Sequence, residues 1–140
     1  MTIHYWASEI CIFNPALVDV IGAVAFKFEN LVVWKHSLDL GEKINDLADT
    51  FPSKELYNLS SQIRRAADSI GLNIAEGSTG QSDPEQKRFL IFANRSALEV
   101  VACIIKAKRR SYIDDRTYIE IYKDCENLVR MLQAFINKLK

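Results

Sequence analysis

Four stretches of this chain repeat apolar residues every three or four positions, and little chain lies between them. They run from about Asn30 to Thr50, Glu55 to Glu76, Pro84 to Arg110 and Asp115 to Leu139. That period places apolar side chains on one face of an α-helix, and long helices with short connections pack as antiparallel neighbours. The pattern predicts an all-α fold, an antiparallel up-down-up-down four-helix bundle with an N-terminal extension. No alternating strand pattern of useful length competes with it. The connectors read "FPSKE", "GSTGQSDPE" and "SYIDD". Pro52 and Pro84 stand where helices start or cannot continue. Asp83 is placed to cap the third helix, with Pro84 as its first residue, and Gly77 suits the C-terminal end of the second.

Two of the apolar stripes are ordinary. The first helix offers Val33, Leu40, Ile44, Leu47, Ala48 and Phe51, and the fourth runs from Tyr118 and Ile121 through Tyr122, Cys125, Leu128, Val129 and Leu132 to Leu139. The second helix, "SQIRRAADSIGLNIAEG", buries Ile63, Ala66, Ala67, Ile70 and Ile74 on one side. Its other side carries a second seam of Arg65, Ser69, Leu72 and Glu76. The third helix adds Ile91, Leu98, Val101 and Ile105 to a main stripe of Phe89, Ala93, Ala97, Val100, Ile104 and Ala107, leaving Arg88, Arg95, Glu99 and Lys106 as a narrow polar strip. A helix that is apolar over most of its circumference needs cover from more than one direction, whereas a four-helix monomer covers each helix on one side. The surplus points to self-association through Arg65, Ser69, Leu72, Glu76, Ile91, Leu98 and Ile105. The competing reading covers that surface with the N-terminal segment.

At 140 residues and 49% hydrophobic content the chain suits one domain over residues 30–140, with residues 1–29 as the extension. The extension holds the run "ALVDVIGAVAFKF", which Asp19 interrupts, and no basic residue precedes it. It is shorter than the roughly 20 residues a membrane-spanning helix requires. No signal or anchor is expected, and a cytoplasmic protein with no membrane partner is. The extension reads as a capping helix or strand, as loosely ordered chain, or as translated leader. Three cysteines without metal-ligand spacing, Cys11, Cys103 and Cys125, read as thiols of a reducing compartment, the latter two on apolar faces.

Chemistry finds little support. The chain has two histidines, His4 and His36, so no Glu-x-x-His pair builds a metal site in the bundle, and no glycine-rich phosphate loop follows a strand. The cysteines of the helical core lack a histidine base. A non-enzymatic protein without cofactor or metal is expected.

Eighteen basic and eighteen acidic residues cancel over the whole chain, but residues 30–140 hold 17 basic against 15 acidic. The strongest local patch is "KAKRR", with Lys106, Lys108, Arg109 and Arg110 at the end of the third helix and Arg88 and Arg95 further along it. One reading is phosphate binding, salt-sensitive and blind to base sequence. The other is that cations favour a helix C-terminus by a few tenths to about 1 kcal/mol. Arg64 and Arg65 have the same two readings; acidic Asp68 and Glu76 nearby favour a polar subunit contact over phosphate. Gly71 reads as a weak point costing roughly 1 kcal/mol relative to alanine, with Asn73 satisfying the backbone it loosens.

"NLVVWKHSLDL", "FPSKELYNLSSQIRRAADSIGLNIAEG" and "RFLIFANRSALEV", in that order, resemble the bacterial four-helix-bundle proteins encoded in intervening sequences of 23S ribosomal RNA genes. That family includes the accessory variability proteins of diversity-generating retroelements. The resemblance spans about residues 30–140. Gly71 stands where relatives often have proline, and Asn94-Arg95 precede Ser96 where a small residue is common. The resemblance implies a soluble, non-enzymatic, ring-like homopentamer. For the retroelement branch it also implies a basic surface that binds RNA or DNA and a reverse transcriptase partner; the intervening-sequence branch has no settled biochemical role. Five copies in a ring would multiply the "KAKRR" patch into a strong field.

Overall fold

The computed structural model describes residues 26–80 and 82–140. The expected extension falls, up to residue 25, outside the described residues, as do His4 and Cys11. Four helices follow in order: α1 Val32–Asp49, α2 Leu59–Gly77, α3 Asp83–Arg109 and α4 Asp115–Lys138. Short 3-10 turns at Lys27–Asn30 and Ser53–Glu55 precede α1 and α2, and no strand occurs among the described residues. The fold is the all-α four-helix bundle that the periodicity predicts. Each helix packs on its neighbour in sequence, and α4 closes back onto α1.

Polar contacts fix the register. The Ser69 and Ser96 hydroxyls meet at 2.9 Å between α2 and α3. Lys108 Nζ lies 2.6 Å from Asp115 at one end of α3 and α4, and the Lys140 N–H donates to Asp83 Oδ2 at 3.1 Å at the other. Lys43 reaches from α1 to Glu120 at 2.9 Å and Asp124 at 2.6 Å on α4. The core between these contacts is aliphatic. Ile44, Ile63, Ile70, Ile74, Leu90 and Leu132 are inaccessible to solvent, each worth roughly 1.5–3 kcal/mol relative to exposure.

Three local expectations need correction. Helix α2 starts four residues later than the periodicity indicates, because the chain first makes the 3-10 turn that buries Glu55. The cap of α3 is Ser82, whose Oγ accepts from the Glu85 N–H at 3.3 Å, so Asp83 is the first helical residue and Pro84 the second. Gly71 is no weak point, since a Cβ there would lie 2.9 Å from Ser37 Oγ. The missing side chain lets α1 approach, and the Ser37 hydroxyl in turn donates to the Trp34 carbonyl at 2.6 Å. Gly77 plays the same part opposite α3, where a Cβ would stand 2.7 Å from Phe89 Cβ. Among the described residues no helix is long and apolar enough to cross a membrane.

Candidate functional site

The surplus apolar surface exists in the fold, but it is divided. Leu72 is 68% exposed, on the far side of α2 from Ile70 and Ile74, with exposed Arg65 and Glu76 beside it. Ser69 does not join them at the surface. It is half-buried in the α2–α3 contact, bonded to Ser96 and accepting from Asn73 Nδ2 at 3.0 Å; Asn73 Nδ2 also donates to the Ser69 carbonyl at 2.8 Å. On α3, Ile91, Leu98 and Ile105 are 40%, 55% and 41% exposed. Spaced seven residues apart, two helical turns, they form one straight stripe.

The contacts of α3 show which way that stripe faces. Ser96 marks its α2 side and Lys108 its α4 side. On a helix of 3.6 residues per turn, Ile91, Leu98 and Ile105 fall toward Lys108, whereas Arg88, Arg95, Glu99 and Lys106 fall toward α2. Leu72 and the α3 stripe therefore occupy different sides of the bundle rather than one seam. Tyr122, expected in the core, is 41% exposed. The end contacts of α3 and α4 set it level with Val101, between Leu98 and Ile105, where it broadens the stripe. Ile119 is exposed one turn away.

The basic residues separate into engaged and unengaged ones. Lys108 pairs with Asp115, and Arg110 Nη1 lies 3.1 Å from Glu55 Oε1. Arg88 pairs with Glu85 at 2.7 Å and stacks over Phe89 and Phe92, 5.3 Å and 5.8 Å from the ring centroids. Arg95 also lies over the Phe92 ring, 6.0 Å from its centroid. Lys106 and Arg109 are exposed and make no ion pair among the described residues. Arg64 is spent inside the chain, bridging α2 to Asn45 and Asp49 of α1.

Glu55 is a connector residue that the periodicity passes over. Its carboxylate is buried where the α1–α2 and α3–α4 connections meet. It accepts from Arg110 at 3.1 Å, the Tyr112 hydroxyl at 3.0 Å, Asn58 Nδ2 at 3.0 Å and the Leu59 N–H at 3.2 Å. Burial pushes this carboxyl up, but the bonds from Tyr112 and Leu59 and the Arg110 charge outweigh it and hold the group below its ordinary 4.5. Beside it α3 ends with Ser111 at φ 62°, a left-handed residue other than glycine. There the Tyr112 N–H returns to the Ala107 carbonyl at 2.9 Å. Next to Glu55, Tyr57 is 93% exposed and Leu56 50%. No periodicity marks either, because the signal of a turn residue lies in its tertiary neighbours.

The two described thiols lie in the core. Burial raises Cys103, and it pushes Cys125 up to about 12, which leaves both protonated and poorly nucleophilic near neutral pH.

These surfaces define a class: an antiparallel four-helix-bundle protein with exposed apolar faces and a basic end. The model of the 23S rRNA-intervening sequence protein family matches residues 29–134. The chain belongs to that family. Its bundle is also similar to the crystal structure of a protein of unknown function from the S23 ribosomal protein family of Bacteroides thetaiotaomicron. The two are 28% identical with a TM-score of 0.70, over 75% of this chain and 98% of the other. A search of curated proteins returned no match.

Proposed function

We propose that this protein is a non-enzymatic, cytoplasmic homo-oligomer, a ring of five copies, that binds RNA or DNA through its basic surface. The observation that carries the assembly is the exposed stripe of Ile91, Leu98 and Ile105, continued by Tyr122. A heptad-spaced apolar row is the seam along which helices pack on other helices, and contiguous surface of this kind marks interaction sites. The occupant is a second copy, because the chain itself carries a second exposed apolar patch, at Leu72 of α2. The Leu72 face has Asp68 and Glu76 beside Arg65, while Arg109 stands beside the α3 stripe and Arg88, Arg95, Glu99 and Lys106 lie on the α2 side of α3. Unlike patches on different sides make a head-to-tail contact, which closes into a ring when the rotation allows. The number five comes from the family resemblance.

Nucleic-acid binding rests on Lys106 and Arg109, repeated around such a ring. Light scattering tests the first part: a mass near five times the 16.0 kDa chain is expected, and a monomer at high concentration would refute it. Anisotropy of labelled RNA and DNA over a salt series tests the second. Affinity should fall steeply with salt, and Lys106→Ala or Arg109→Ala should each flatten the slope by about 1. Absence of binding at about 50 mM salt, where counterion release favours association, would end it.

A second reading, a protein-interaction ring that touches no nucleic acid, draws on the intrachain pairing of Lys108 and Arg110. In a retroelement setting its partner is a reverse transcriptase, and copurification with one encoded nearby tests that role.

A further inference from the structure

We infer that the nucleic acid taken by the basic end is single-stranded, with the Tyr57 ring stacking on an unpaired base while Lys54 and Arg109 hold the adjoining phosphates. This rests on the nucleic-acid reading above and names its substrate class.

Among the described residues, a large aromatic ring at this end has almost nothing covering it. Tyr57 is 93% exposed and follows Leu56, itself 50% exposed. The turn that carries them is nonetheless tightly held. Phe51 is buried and its ring meets Tyr112 at 5.6 Å. The Glu55 and Asn58 N–H groups close successive turns onto Pro52 and Glu55 carbonyls at 2.9 Å each. The Glu55 carboxylate then ties this turn to Asn58 and Leu59 on one side and to Arg110 and Tyr112 on the other. An aromatic ring on a fixed backbone loses little further freedom when it binds, so it is preorganised for a flat partner.

Charge decides which flat partner. Segments 53–58 and 106–118, joined at this end by the Glu55–Arg110 pair, hold six basic side chains against three acidic ones in a chain that is neutral overall. Of the six, Lys54, Lys106, Arg109 and Arg116 make no ion pair among the described residues. A cluster of unpaired basic side chains at the same end as an exposed aromatic ring suits a polyanion whose monomers each carry a π-face. A duplex hides those faces in its stack, and a single strand presents them. The three acids are accounted for elsewhere: Glu55 is buried in its own bonds, Asp114 caps α4 through the Thr117 N–H at 2.8 Å, and Asp115 pairs with Lys108.

The test compares a labelled single-stranded RNA of about 20 nucleotides with the blunt duplex of the same sequence, by anisotropy on the full-length assembled protein at low salt. Tyr57→Ala should weaken the single strand on the order of tenfold or more and leave the duplex unchanged. Tyr57→Phe, which keeps the ring, should retain single-strand affinity. Because Tyr57 is almost fully exposed among the described residues, Tyr57→Ala should melt with the parent, so a loss of binding is not a loss of fold. Unchanged single-strand affinity in Tyr57→Ala, or equal loss on both ligands, would overturn the inference while leaving nucleic-acid binding in place. A parent protein that binds neither ligand would sink both readings and leave the tip to a protein partner.

Discussion

Glu55 shows how much one connector residue organises. It joins both connections at one end of the bundle, and its folded carboxyl sits below 4.5 because Tyr112, Leu59, Arg110 and Asn58 favour the ionised form over the pull of burial. A group whose folded value is depressed adds stability above its unfolded value and gives it up as pH falls through the folded one. The melting temperature should therefore drop as pH falls below 4.5. Glu55→Gln should melt lower at neutral pH and show a shallower acid slope; parallel pH profiles for the two proteins would refute the assignment. Gly77 acts through absence instead. A Cβ 2.7 Å from Phe89 Cβ meets an atom fixed to the α3 backbone, so Gly77→Ala should cost about 1–3 kcal/mol by overpacking. Urea denaturation checks it, and an unfolding free energy within about 0.5 kcal/mol of the parent would show that the helices part freely. Gly71→Ala should cost less, because its nearest neighbour is the Ser37 hydroxyl, a small group that moves by giving up its bond to the Trp34 carbonyl.

At the scale of elements, α3 carries most of the unusual surface. Its core stripe, Leu90, Ala93, Ala97, Val100 and Ile104, is buried, as the helical period requires. Its second stripe was legible as surplus, because seven-residue spacing survives in any straight helix. The side of the bundle it would face was not legible, since that depends on how α3 is rotated against α2 and α4. Leu98→Glu places a charge in the middle of the stripe and away from the core. The helices should keep their circular dichroism and melting temperature while light scattering reports loss of assembly. Intact assembly in Leu98→Glu would move the contact off this face.

The whole molecule has two unlike apolar patches, and head-to-tail contact makes a sharp demand of them. Leu72→Glu keeps a working α3 face and Leu98→Glu keeps a working α2 face. Each alone should be monomeric, and their mixture should form a dimer and stop, since each copy then has one usable face left. If the contact were instead the same patch on both copies, mixing would restore nothing. Near-neutral overall charge conceals a comparable asymmetry, because the positive end formed by residues 53–58 and 106–118 is balanced by acids elsewhere.

The sequence by itself determined the helices, their order, most of the core and the excess of apolar helix surface, because all of these follow from local spacing of 3.6 residues per turn. Boundaries slipped most at the helix starts, at Asn30, Glu55 and Ser82, where turns and side-chain bonding rather than periodicity set the limits of a helix. Only the tertiary structure decided that Ser69 faces inward, that Lys108 and Arg110 are already paired, and that Tyr57 shares an end of the bundle with Arg109. Those facts join residues distant in the chain, and a contact across the bundle leaves no period in the sequence that makes it.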